Sequence, residues 1–126
     1  MRISGEMTPE KIIGKLSFFY EQIHHLHFNT TSFSEHKALD IWGDITDFKD
    51  KIGELLLGYI TPKRFGPPES IQIDPYAQPS KVMDDIIDFA HKLDDWATNK
   101  KYTDLSNIAQ ELEGLAAKTK YMLTLR

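Results

Sequence analysis

Cysteine is absent from this 126-residue chain, which excludes disulfide staples, thiolate metal sites and a cysteine nucleophile. Its absence also suits a reducing compartment. No apolar run approaches the roughly 18 residues of a membrane span. The opening residues, Met1-Arg2-Ile3-Ser4-Gly5-Glu6, lack the apolar stretch of a secretory signal. A soluble cytoplasmic protein with no membrane contact is therefore expected. Glycine-rich phosphate loops and serine-nucleophile motifs are missing as well. Basic residues are outnumbered 15 to 19, giving a net charge of −4, and Lys63-Arg64 is too small a patch to imply nucleic acid. Sustained period-two alternation is found nowhere, so no sheet is expected.

What the chain does contain is helical periodicity, in four amphipathic segments that suit a single all-α domain over residues 1–126. The first opens at Thr8-Pro9, a cap followed by proline at the first helical position, and ends at the polar run Asn29-Thr30-Thr31-Ser32. Its stripe is Ile12, Leu16, Phe19, Ile23 and Leu26, the spacing of a helix lying lengthwise against near-parallel neighbours. Ser34 reads as the cap of a second helix reaching Gly58, with Ile41, Ile45, Phe48, Ile52, Leu55 and Leu56 inward. A third follows Pro79-Ser80 with Val82, Ile86, Phe89, Leu93 and Trp96 on one stripe. After a turn at Asn99-Lys100-Lys101, a fourth runs from about Thr103 to the C-terminus.

Between Gly58 and Ser80 lie five of the six prolines. So long a non-helical link inside one domain needs a reason. In a bundle, short links join antiparallel neighbours, whereas a long one carries the chain back along the bundle. A second helix of some 24 residues would be roughly 36 Å long, which about 20 extended residues span easily. The expected fold is a ferritin-like four-helix bundle: two antiparallel hairpins joined by a proline-rich crossover between helices two and three.

Four of the five histidines, His24, His25, His27 and His36, fall within two adjacent helical segments, followed by Asp40, Asp44, Asp47, Asp50 and Glu54. Imidazole with carboxylate is the ligand set of iron and other divalent first-row metals. Advancing about 100° per residue from His36 puts Asp40, Asp47, Asp50 and Glu54 within about 40° of it, on one stripe facing away from the apolar side. Such a stripe is commonly just the solvated face of a helix. A solvated face usually mixes in lysine, however, and Lys37, Lys49 and Lys51 all fall outside this stripe. An outward-facing site could be completed by a second subunit.

His27-Phe28-Asn29, then Phe33, His36 and Asp40, then Asp50 with Glu54 before a glycine, together resemble the Dps family of small ferritin-like iron-storage proteins. The compact size and the crossover are also similar to small ferritin-like proteins of tailed phages. The Dps resemblance implies a ferroxidase iron site between two subunits of a dimer or larger shell. It implies a ligand set of His27, His36, Asp40, Asp50 and Glu54, with His24 as a rival to His27. Iron, or another divalent transition metal, would be the cofactor. If catalytic, the protein would oxidise Fe(II) with peroxide or oxygen. The lysine-rich N-terminal tail that many of these proteins use on DNA is absent, so DNA binding by such a tail is not expected.

A second reading keeps the bundle but gives it a lapsed metal site. The chain would then be a non-catalytic interaction protein whose acidic face meets a basic partner. Elsewhere, His91 lacks a glutamate three residues before it and reads as a surface or packing residue. Trp42 and Trp96 read as core or interface anchors.

Overall fold

The computed structural model describes residues 7–67 and 70–125; Met1 to Glu6, read above for a signal, and Pro68 lie outside them. All regular structure among the described residues is helical: α1 (Pro9–Asn29), α2 (Phe33–Ala38), α3 (Ile41–Tyr59), α4 (Pro79–Lys100) and α5 (Thr103–Met122). The first helix begins where its cap residue dictates, with the Thr8 hydroxyl accepting from the Lys11 amide. It ends where Thr30 turns extended. The last helix stops at Met122, short of the expected C-terminal end.

The expected second helix is two helices, and Ser32 rather than Ser34 caps the first of them. Leu39 supplies the reason. The buried face of α3 is Ile41, Ile45, Ile52 and Leu56. In an unbroken helix Leu39 would point about 130° away from the centre of that stripe. A turn at Leu39-Asp40 lets the leucine enter the core, where it has no exposed surface. His36 is thereby uncoupled from the rotational register of α3, and the single stripe from His36 to Glu54 does not exist.

The four long helices pair as two hairpins. In the first, Ile13 meets Gly53 and Tyr20 meets Trp42, so α1 and α3 run antiparallel. In the second, Asp84 pairs with Lys120 at 2.7 Å and His91 with Glu113 at 2.8 Å, so α4 and α5 are also antiparallel. Phe19 and Phe89, ring centroids 5.7 Å apart and edge-on, join α1 to α4 at the centre of the core. Tyr59 stacked on Tyr102 joins the end of α3 to the start of α5.

The link between the hairpins follows α1. Gly66 lies against Glu10. Farther along, the buried Gln22 amide donates to the Asp74 carbonyl and accepts from the Asp74 amide, both at 2.8 Å. Glu10 to Gln22 is twelve residues of helix, roughly 18 Å, so this segment returns the chain along the bundle. The acids Asp84, Asp85 and Asp88 pair with Lys120, Lys81 and Lys92 on the outer face of α4.

Lys15 is the one lysine buried among the described residues, 3% exposed, with its Nζ about 5 Å from the Phe18 and Phe19 ring centroids. Burial lowers its pKa below the ordinary 10.5, and Asp85 and Asp88 oppose the shift. Between the lowered value and 10.5 the unfolded chain holds a proton that the folded one does not. The contribution of Lys15 to stability therefore rises as pH climbs through that window and is smallest below it. Lys15→Met removes the titrating amine and is expected to flatten the alkaline rise in urea-denaturation stability; an unchanged rise would show that other groups produce it.

Candidate metal centre

At one end of the bundle, the last turn of α1, the short α2 and the start of α3 converge. His27, His36 and Asp40 each bring a ligand-type atom to one place, all within 4.8 Å of one another. His27 Nε2 lies 2.9 Å from an Asp40 carboxylate oxygen. The two imidazole rings stack at 3.8 Å between centroids. His36 Nδ1 is 2.8 Å from the His27 main-chain carbonyl. A carbonyl only accepts, so Nδ1 carries the proton and Nε2 of His36 keeps its lone pair.

Two further details set this corner apart from an ordinary helix junction. Asp40 occupies the N-cap position of α3 but makes no capping hydrogen bond. A cap is commonly worth about 1 kcal/mol, and this carboxylate is turned to His27 instead. The His27 side chain is mostly enclosed, and its Nδ1 has no hydrogen-bond partner among the described residues. Asp40 is more than half exposed, so the cluster opens to solvent on the carboxylate side.

The other expected ligands lie elsewhere. His24 stacks on the Trp42 indole at 4.3 Å and against Phe28 at 4.4 Å, which places it beside the cluster as part of an aromatic wall. His25 Nε2 accepts from the Asn29 amide. Asp50 and Glu54 follow Asp40 by ten and fourteen residues, roughly 15 and 21 Å along α3. They border a separate hollow of about 440 Å³ over Ile13, Gly53, Leu57 and Phe65. Within one chain, therefore, the six expected residues divide into a converged trio, one neighbour and a distant pair. Sequence reading missed the His27 carbonyl as the group that orients His36, because the signal is a backbone atom nine residues away. His91 is half exposed and pairs with Glu113.

A family model matches residues 27–123, about three quarters of the chain. The chain belongs to DUF5856, a family of unknown function. The DUF5856 match opens at His27 and takes in His36 and Asp40, while His24 falls before it. The chain is also similar to an uncharacterized 14.6 kDa protein from the mobD–ri intergenic region of Enterobacteria phage T4. The two are 28% identical over 123 residues, covering 92% of this chain and 88% of the phage protein. No solved structure matches the chain.

The Dps assignment is corrected by these findings. The DUF5856 match covers the segment from His27 to Glu54 on which that resemblance rested, and no Dps or ferritin match accompanies it. The physical reason lies in what the motif was made of. Histidines at a helix end and acids at helical spacing recur wherever an amphipathic hairpin has a solvated face. Phe28, moreover, stands where the Dps pattern has tryptophan.

Proposed function

We propose that the chain binds one divalent transition-metal ion per copy, held by His27, His36 and Asp40. The observation that carries this reading is the convergence of two imidazoles and a carboxylate within 4.8 Å. It is supported by the bond from His36 Nδ1 to the His27 carbonyl. Metal-bound histidines are usually oriented in this way, the second ring nitrogen donating to a carbonyl or carboxylate. Two histidines with one carboxylate suit Fe(II), Zn(II) and their neighbours, and three protein ligands leave positions open to water. The two hairpins and their returning link support a ferritin-like arrangement of helices, with the ion at one end of the bundle. All three ligands come from one chain, so this site does not need a second copy.

The test is calorimetric titration of the metal-free protein with Zn(II), and anaerobically with Fe(II). One ion per chain is expected, with binding lost in His36→Ala and in Asp40→Ala and kept in Asp50→Ala with Glu54→Ala. No heat above dilution, or loss only in the Asp50 and Glu54 variant, would remove the proposed site.

One observation favours a second reading, that of an interaction protein. Asp44, Asp47, Asp50 and Glu54 are exposed and have no ion pair among the described residues. Such a face suits a basic partner whose binding weakens as salt is raised.

A further inference from the structure

The end of the bundle away from His27 gathers cations and aromatic rings that the sequence holds far apart. Tyr59, the last residue of α3, stacks on Tyr102 with centroids 4.0 Å apart and planes 12° from parallel. Trp96 meets Tyr102 edge-on at 5.7 Å. This contact puts the Lys63-Arg64 and Lys100-Lys101 pairs at the same end of the bundle, and all four cations are exposed. Asp95 and Asp104 are exposed acids in the adjoining helical turns, and Glu10 lies against Gly66, two residues beyond Arg64. The two basic residues too few to count in sequence thus share one end of the fold with two more.

Part of this charge has a structural use. Lys63 donates to the Leu57 and Gly58 carbonyls at the end of α3, and Lys100 lies over the Trp96 ring. Cations at helix C-termini are favourable in any protein. Arg64 and Lys101 are not explained in this way, since neither has an ion pair among the described residues. Lys101 also sits in the left-handed region, with φ of 64°. Glycine adopts that conformation freely at a helix end, whereas a lysine there is held against its preference. The left-handed turn itself has no need of the lysine's charge.

We propose that this end of the bundle binds single-stranded nucleic acid. Arg64, Lys101 and their neighbours would meet the phosphates, while Tyr59 (37% exposed) offers ring surface to an unstacked base. Duplex is disfavoured, because its bases have no free faces to set against an exposed ring. The acidic remainder of the chain keeps the contact short. Three neutralised phosphates would give a log–log salt slope of about −2.

The test uses the full chain with EDTA present and a labelled oligothymidylate of about ten nucleotides, within the range one small domain covers. Fluorescence anisotropy should show saturable binding with that salt slope. Duplex of equal length should fail to compete, and thymidine monophosphate should compete only at far higher concentration. Arg64→Glu with Lys101→Glu should weaken binding about tenfold or more. Lys51→Glu with Lys118→Glu, the same charge change elsewhere on the surface, should alter it less than about twofold. Lys101→Gly separates function from folding: it should weaken binding while leaving the melting temperature unchanged or higher. The proposal is overturned if the wild-type chain does not bind at low salt, if both charge variants lose equally, or if duplex binds as well as single strand.

Discussion

Phe89→Ala is expected to destabilise the fold by about 3–5 kcal/mol, the cost of removing a large buried ring from a packed core. Phe89 is 1% exposed, and its ring meets Phe19 edge-on from the other hairpin. The substitution would leave a void where the hairpins join, and α1 and α4 are tied on both sides of that point to their own partners. Little relaxation is available to fill it. Part of the loss, about 0.5–1.5 kcal/mol, should belong to the ring pair itself. It should appear as non-additivity when Phe89→Ala and Phe19→Ala are combined. Against a total stability of about 5–15 kcal/mol, the single change removes a large fraction. Urea denaturation checks it, with Phe33→Ala as the comparison. Phe33 is 76% exposed, and its loss should cost less than about 0.5 kcal/mol. A Phe89→Ala loss below about 1.5 kcal/mol at constant denaturant slope would mean that the hairpins do not meet at this ring.

The same pair shows what could be read in the sequence. Phe19 and Phe89 each stand in an apolar stripe at helical spacing, and each is buried. Periodicity finds such residues because burial on one side of a helix leaves a repeating mark. The cap at Thr8 and the proline at 9 were legible for the same local reason, whereas α4 opens on Pro79 itself, ahead of its expected start after Ser80. The break at Leu39-Asp40 was not. A helix pattern continues through it, and only the position of Leu39 relative to the core forbids continuation. The candidate site inherits this difficulty. Its residue types were visible in sequence, but projecting them from one straight helix joined His36 to Asp50 and Glu54. The turn instead brings His36 and Asp40 back to His27. The basic end was hidden differently, since Lys63-Arg64 and Lys100-Lys101 come to one end of the bundle only through the packing of Tyr59 on Tyr102.

Zn(II) in excess should raise the thermal stability of the chain, and the size of the shift follows from where the ligands lie. His27 ends α1, His36 is in α2 and Asp40 opens α3, so the trio exists only when all three elements are docked. An unfolded chain offers no comparable site. Binding to the folded state alone contributes about 2.7 kcal/mol when free metal is a hundredfold above Kd. For a domain of this size that is roughly 8–14 °C in Tm. Asp40→Ala tests the source of the shift, because its two effects have different sizes. Without metal it removes one half-exposed hydrogen bond and should cost about 1 kcal/mol or less; with metal it should abolish the rise. Asp50→Ala with Glu54→Ala separates a site within one chain from one shared between copies. The full shift should persist in that variant if the trio holds the ion, and should vanish if the ion lies against the distal acids of a neighbouring subunit. Identical melting curves in EDTA and in Zn(II) would leave His27 and Asp40 as a plain hydrogen-bonded junction. The unpaired acids of α3 would then be the feature of this surface still in need of a partner.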